Sequence, residues 1–153
     1  MTYMKHALSL LLLIFILVFN IGCTDDPFGV TTEVDHATPT SLSLTLTQKG
    51  GLTDLVYGSE YHIEVYSDGE WKEPPYLPSE YERAWTSIAY LLSPNSSVTL
   101  TLNWEDLYGP LPDGRYRVCK EIMRSSGTGE KAETRLYTAE FVIETDKGSE
   151  SKS

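Results

Sequence analysis

The sequence predicts an all-β protein built as an antiparallel β-sandwich, and two observations carry this prediction. Several short segments alternate between apolar and polar residues, as strands with one buried face do. Residues that favour turns separate these segments, and no stretch of the sequence shows a long apolar pattern at helical spacing. Short alternating strands joined by turns are typical of two sheets packed face to face.

Five segments show the alternation clearly. In SLSLTLT, for example, the leucines point to one side of the strand and the hydroxyl residues to the other. Many residues in the five segments are β-branched or aromatic, which favours strands. The predicted strands are residues 41–47, 61–66, 97–104, 115–122 and 137–144. The residues expected to face the core are Leu42, Leu44, Leu46, Tyr61, Ile63, Val65, Val98, Leu100, Leu102, Trp104, Tyr116, Val118, Tyr137, Ala139, Phe141 and Ile143.

Residues 79–92 are ambiguous. Their apolar spacing fits neither the period of a helix nor that of a strand, and prolines flank them at Pro78 and Pro94. A short helix or a turn is one interpretation. Of these interpretations we favour a strand over about residues 86–91.

The N-terminal segment has the organisation of a secretory signal peptide. Lys5 and His6 are followed by an apolar run over residues 7–19, which is too short to span a bilayer as a helix, and then by Gly22 and Cys23. The end of the segment resembles the lipobox of bacterial lipoproteins, in which the cysteine is acylated and becomes the mature N-terminus. We therefore expect a lipid on Cys23. An uncleaved membrane anchor and ordinary secretion are the alternatives.

Composition divides the chain into four parts. Residues 1–22 are the predicted lipoprotein signal peptide. Residues 23–38 are polar, acidic and without a clear period, and we expect them to form a flexible spacer after the lipidated cysteine. The predicted sandwich spans residues 39–145. Residues 146–153 are small and polar, and we expect them to form a disordered tail.

The chain is acidic, with a formal net charge of −10. Removal of the signal peptide takes away one positive residue, Lys5, so the mature chain has a charge of −11. Nucleic-acid binding requires clustered Lys and Arg, so this composition argues against it. If Cys23 carries the lipid, the second cysteine, Cys119, has no partner, and the sequence predicts no internal disulfide.

The sequence contains no pattern that indicates catalysis, a metal or a cofactor. His62 and Glu64 share one face of a predicted strand, but a metal site needs further ligands, and we interpret the pair as a solvated face. Glu105 and Asp106 are adjacent acids at a strand end, which we expect to be exposed. Neither a nucleophile elbow nor a glycine-rich phosphate loop occurs in the sequence. The sequence therefore predicts a protein that is not an enzyme.

A proline-rich stretch, residues 71–78, is the best candidate for contact with a partner. Its prolines stiffen the chain, which lowers the entropy cost of binding. Exposed aromatic side chains favour interfaces with proteins or sugars. We predict Trp71, Pro74, Pro75 and Tyr76 as the partner-binding residues. The alternative is that the stretch only covers one edge of the sandwich.

The stretch YGPLPDGRYRVCK, residues 108–120, resembles part of an immunoglobulin-like domain. A tight PDG turn leads into a strand where Tyr116 matches the tyrosine whose hydroxyl bonds back to the backbone in such domains. Val118 takes the core position two residues later. Cys119 is one step out of phase and should face the other side of the sheet.

The resemblance extends over about residues 30–145 and is to a bacterial Ig-like domain found in small exported proteins of Gram-positive bacteria. It implies a β-sandwich and an exported location, and it brings no catalytic residues. The matching motifs in chain order include Leu42 to Thr47, Tyr57-Gly58, Tyr61 to Glu64, Asp68 to Trp71, Pro74, Trp104, Tyr108 to Leu111, Gly114 to Val118, Lys120 and Ala139 to Phe141.

Together these features predict a lipid-anchored protein on the outer face of the bacterial cytoplasmic membrane, with a non-catalytic Ig-like module for binding or structural support. Its expected partners are the membrane, through the lipid on Cys23, and another exported protein or an envelope component. A second hypothesis comes from a different functional class. It is a small inhibitor or modulator of an extracellular enzyme that acts through residues 71–78.

Overall fold

The computed structural model describes residues 26–79, 84–124 and 132–144. These residues form nine strands and one short helix, and every strand pair is antiparallel. The predicted all-β antiparallel sandwich is confirmed. The elements are β1 (Val30–Ala37), β2 (Ser41–Gln48), β3 (Leu55–Tyr57), β4 (His62–Ser67), β5 (Glu70–Lys72), β6 (Tyr90–Leu92), β7 (Ser97–Asn103), α1 (Glu105–Tyr108), β8 (Gly114–Arg124) and β9 (Glu133–Ile143).

Two sheets form the sandwich. The smaller sheet has the order β1-β2-β7. In the larger sheet β9 pairs with one edge of β8 along its whole length. The other edge of β8 pairs first with β4 and then with β3, and these two strands carry β5 and β6 on their outer sides. The chain between β3 and β4 therefore leaves a gap along this edge of β8.

The core lies between the two sheets, where the predicted alternation places it. The burial pattern of β2 alternates along its whole length, and its three leucines are buried. All but four of the residues expected to face the core are buried, and Val65, Val98, Leu100 and Tyr137 are partly buried against it. The largest fully buried aromatic residues are Phe28, Trp104 and Tyr116.

Two hydrogen bonds, one local and one long-range, fix the aromatic part of the core. The hydroxyl of Tyr116 donates to the carbonyl oxygen of Pro112 at 2.8 Å, which confirms the bond that the family resemblance implied. The indole N–H of Trp104 donates to the carbonyl oxygen of Pro39 at 2.9 Å. Both polar groups are thus satisfied although their rings are buried.

The prediction that residues 23–38 form a flexible spacer is wrong for residues 26–38. Residues 30–37 form β1, which pairs with β2 along its length, and the ring of Phe28 is buried. The strand was missed because it lies at the sheet edge and is exposed at several positions, so its apolar residues show no clear period. Cys23 and the signal peptide, residues 1–22, lie outside the described residues, as does the predicted tail, 146–153.

The first described residues are tied to the end of the sandwich where β8 finishes and β9 begins. Two guanidinium groups contact the ring of Phe28. Their central carbon atoms lie 4.8 Å (Arg124) and 5.3 Å (Arg135) from the ring centroid. Gly29 has a φ of +64°, and a Cβ there would lie 2.1 Å from the carbonyl oxygen of Lys49. Glycine is therefore required at this close approach. We call this end of the domain the Asp26 end.

The strand predicted over residues 86–91 is largely wrong. Residues 84–89 have no regular structure, and only Tyr90–Leu92 forms a strand, β6. The side chain of Ser59 donates to the carbonyl oxygen of Thr86 at 3.1 Å, and the ring of Trp85 packs on Tyr61. Side-chain contacts rather than a strand ladder therefore hold this segment.

Candidate functional site

Trp71 lies on the outer face of the larger sheet and not in the core. It belongs to β5 and pairs with Tyr66 of β4. Alternation along β4 puts Tyr66 on the same face as Glu64, while Ile63 points into the core and is fully buried. The indole is half-buried, and the ring of Tyr66 beside it is 41% exposed.

Two arginines of β8 cover Trp71. The guanidinium carbon of Arg117 lies 4.6 Å from the indole centroid, and that of Arg115 lies 5.5 Å from it. Arg115 is also 5.0 Å from the ring centroid of Tyr66, whose ring lies 5.1 Å from that of Trp71. Each such cation–π contact contributes about 0.5–1 kcal/mol at an exposed site. We call these four residues, Tyr66, Trp71, Arg115 and Arg117, the Trp71 patch.

The other predicted binding residues lie in a different place. Tyr76 stacks on Tyr108 of α1, with ring centroids 4.9 Å apart and an interplanar angle of 15°. Pro74 is half-buried and Pro75 is exposed. Trp71 therefore packs against β8 and Tyr76 against α1, and the predicted stretch is divided between two surfaces.

The Trp71 patch and the Asp26 end are at opposite ends of β8. Arg124, at the end of the strand, donates a hydrogen bond to the carbonyl oxygen of Pro27 at 3.4 Å. Arg115, at its start, lies over Trp71. An extended strand rises about 3.3 Å per residue, so the distance along β8 between the two arginines is about 30 Å.

Beside the patch, His62 and Glu64 of β4 come together with Cys119 of β8. His62 is directly opposite Cys119 in the strand register, and Glu64 follows on the same face. One nitrogen, one oxygen and one sulfur atom of these residues lie within 4.8 Å of one another. The side chain of Glu64 is only 19% exposed, so the interpretation of the pair as a solvated face is wrong for this residue.

The ionisation of this cluster follows from its burial and from Arg117. Burial by itself raises the pKa of Glu64, but the hydrogen bond and the charge of Arg117 outweigh it, and the pKa is lowered. Burial, with the negative charge of Glu64 adding to it, raises the pKa of the Cys119 thiol to about 12. Glu64 is therefore an anion paired with Arg117 at neutral pH, while Cys119 is a buried, protonated free thiol. As predicted, Cys119 faces away from the core that Val118 enters.

A cleft of about 460 Å³ opens between β7 and the part of the larger sheet formed by β3 and β6. Four aromatic residues line it in two pairs. Tyr57 and Tyr90 are stacked with centroids 5.5 Å apart, and Tyr61 and Trp85 are tilted with centroids 5.2 Å apart. Residues 99–103 of β7, which include Leu100 and Leu102, form the opposite wall.

Lys120 also lines this cleft. The sequence indicated it only as a residue that matches the family, with no role in a site. Lys120 is only 1% exposed. Its ammonium group donates hydrogen bonds to the carbonyl oxygens of Gly58 and Glu60, at 2.6 and 2.5 Å. The side chain thus fills the gap between β3 and β4. Burial lowers the pKa of Lys120 to about 8. The alternation through Tyr116 and Val118 would have indicated its inward direction.

A family model described as a bacterial Ig-like domain matches residues 26–142. The chain belongs to this family. The match starts at Asp26, so the Ig-like domain includes β1, which the sequence analysis had assigned to a spacer. Bacterial Ig-like domains are generally non-catalytic. The adjacent acids Glu105 and Asp106 of this domain are exposed on α1, as predicted.

Among solved structures, the chain is similar to a protein from Archaeoglobus fulgidus, with 13% identity and a TM-score of 0.28 over 76% of this chain and 96% of the other. A likeness this low supports no conclusion about the Ig-like domain. A comparison with curated proteins finds no match. Within the described residues, no helix is long and apolar enough to cross a membrane.

Proposed function

We propose that the protein is a lipid-anchored extracytoplasmic lipoprotein whose Ig-like domain binds another exported protein or an envelope component through the Trp71 patch. The observation that carries the proposal is the position of the patch. It lies about 30 Å along β8 from the Asp26 end, where the chain enters the domain. A domain tethered at the Asp26 end presents the Trp71 patch away from the membrane.

A lipid on Cys23 would hold the Ig-like domain close to the bilayer. Asp26 is already fixed to the domain by its bonds to Val30 and Tyr137. Three residues of extended chain span at most about 11 Å, so little length remains between Cys23 and Asp26. The signal architecture of residues 1–22 supports the lipid anchor, and two or more acyl chains give stable anchoring.

The composition of the Trp71 patch suits a protein interface. Trp, Tyr and Arg are the residues that most often dominate interface energetics. The indole and the phenol ring are held in place by Arg115 and Arg117, so few rotamers are lost on binding. Arg115 also pairs with Glu140 at 2.6 Å, which fixes it over the rings.

Anchoring is tested with Cys23→Ala in the native host. We expect the wild-type chain to partition into detergent with an N-terminal mass that shows acylation. The variant should accumulate as a precursor or be released. Unchanged partitioning and an unchanged N-terminal mass would contradict the lipid anchor.

Binding is tested by cross-linking and capture from native membranes with the full chain. Trp71→Ala should reduce capture of the partner, and Tyr76→Ala, on the α1 surface, is the matched control and should not. Loss of capture with Tyr76→Ala alone would move the site to α1. Capture of a hydrolase together with loss of its activity would identify the protein as an inhibitor instead.

A further inference from the structure

We propose that His62, Glu64 and Cys119 form a zinc site on the outer face of the larger sheet, with water as the fourth ligand. The proposal does not depend on the partner-binding role of the Trp71 patch, although Arg117 contacts both Trp71 and Glu64. The sequence predicted no metal because β4 by itself supplies only two candidate ligands, His62 and Glu64. The third ligand comes from β8 and becomes a neighbour only through the pairing of the two strands.

The geometry suits one ion. Two ligands of a tetrahedral zinc ion lie about 3.3–3.6 Å apart, given bonds of about 2.0–2.3 Å. Nε2 of His62 and Oε1 of Glu64 are 3.7 Å apart, and all three candidate atoms lie within 4.8 Å of one another. Rotation of side chains can close the remaining difference, because the three residues share one face of two paired strands.

The carboxylate is already oriented for this role. Oε2 of Glu64 accepts a hydrogen bond from Arg117, while Oε1 points toward His62. Oε2 is thus held by Arg117, which is not itself a ligand, and Oε1 is directed toward the candidate metal site. Outer hydrogen bonds of this kind orient ligands in metal sites.

The donor set selects the metal. Thiolate ligands are unsuited to magnesium and calcium, which prefer oxygen donors throughout. A carboxylate is a poor ligand for copper(I), whereas zinc takes sulfur, nitrogen and oxygen together. Binding would release the proton of Cys119 to solvent. One thiolate and one carboxylate then face the two charges of the ion and the guanidinium of Arg117, so the occupied cluster carries one net positive charge with His62 as a neutral imidazole ligand.

The site has an opening. The side chain of His62 is 34% exposed, while Cys119 is buried beneath it. An ion can therefore reach the cluster from the His62 side, where water completes the coordination. The same arrangement shields the sulfur from larger reagents.

The test uses the full chain in detergent with Cys23→Ala as the background, so that Cys119 is the only thiol. Titration with zinc, followed by calorimetry and melting, should show one tight site and a higher melting temperature. Cobalt(II) should give a thiolate charge-transfer band in the near ultraviolet. Loss of an outer partner alone weakens metal sites about 10–100-fold. We therefore expect His62→Asn, Glu64→Gln and Cys119→Ser each to weaken zinc binding by more than that.

The matched control is His36→Asn, which removes a histidine of β1 outside the cluster and should leave the zinc affinity unchanged. His62→Asn is the main variant, because its exposed position should preserve the metal-free melting temperature. The proposal is overturned if cobalt gives no thiolate band. It is also overturned if His62→Asn binds zinc as tightly as the control, which would show that the ion does not need His62.

Discussion

The carboxylate of Asp26 accepts hydrogen bonds from the hydroxyl of Tyr137, which lies 111 residues further along the chain. The distances from the hydroxyl to the two carboxylate oxygens are 2.9 and 2.8 Å. The same carboxylate accepts the backbone N–H of Val30 at 2.8 Å. These bonds hold the first residues of the Ig-like domain against its last strand.

We expect Asp26→Asn to lower the free energy of unfolding by about 1–3 kcal/mol at neutral pH. Hydrogen bonds to a charged acceptor are the strong class, and the amide has one acceptor oxygen in place of two. Urea denaturation measures the loss. Glu33→Gln removes an exposed carboxylate of β1 and should change stability by less than about 0.5 kcal/mol.

The effect of Asp26→Asn should depend on pH. Burial raises the pKa of Asp26, but the hydrogen bonds from Val30 and Tyr137 outweigh it, and the pKa is lowered in the folded domain. A lowered carboxyl pKa stabilises the fold above the unfolded value, and this contribution is lost as the pH falls. The difference between wild type and variant should shrink below about pH 4. A constant difference from pH 7 to pH 3 would argue against this account.

The two tryptophans Trp71 and Trp104 should respond differently to replacement by alanine. Trp104 is fully buried, so its loss leaves a cavity that costs about 3–5 kcal/mol. Trp71 lies outside the core, so its replacement removes mainly the contacts with Tyr66 and the two arginines. We expect this to lower the free energy of unfolding by about 1–2 kcal/mol. Thermal melting of both variants decides this. An equal loss in the two variants would place Trp71 among the core residues and remove it from the binding site.

Removal of the hydroxyl of Tyr116 should weaken the fold without disturbing the core. Tyr116→Phe keeps the ring and loses the bond to the carbonyl oxygen of Pro112, for which we expect a cost of about 0.5–1.5 kcal/mol. Chemical denaturation measures it. Tyr66→Phe, at an exposed ring, serves as the control. If both substitutions have the same small effect, the bond to Pro112 does not stabilise the domain.

Lys120 should make the stability of the domain rise with pH. Its pKa is about 8 in the folded domain, whereas the ordinary value is 10.5. Between these values the unfolded chain binds more protons than the folded chain, so stability increases with pH, by up to about 1.4 kcal/mol per pH unit. Above about pH 9 the buried thiol of Cys119 opposes this, since burial raises its pKa from 9.0 to about 12. Above about pH 10 buried tyrosines oppose it as well, since burial raises the pKa of Tyr61 to about 12.

The measurement compares wild type with Lys120→Met by urea denaturation between about pH 8 and pH 9. This window lies between the folded pKa of Lys120 and the ordinary pKa of the Cys119 thiol. The wild type should gain stability over this range and the variant should not. Lys72→Met removes an exposed lysine and should keep the wild-type slope. The same slope in wild type and Lys120→Met would show that the buried ammonium does not control this pH dependence.

The alternating strands were determined by the sequence alone. In β2 and β9 apolar residues recur at every second position. These residues therefore all lie on one face of the strand, and that face packs on the core. The turn before Tyr116 and its phase with Val118 were likewise predicted from local pattern. These features depend on residues that are close together in the sequence, so the sequence alone is enough to predict them.

Contacts between distant residues could be decided only by the tertiary structure. β1 pairs with β2, and the residues before it are held by Tyr137 and Arg124. No local pattern connects these residues, so a polar edge strand was interpreted as part of a spacer. The face of the sheet on which Trp71 lies depends on the register of β5 against β4. The two arginines that pack on its ring come from a third strand, β8. The cluster of His62, Glu64 and Cys119 likewise exists only because β4 and β8 pair in one register. Strand pairing brings together residues far apart in the chain, and the period of a single strand carries no information about its partner.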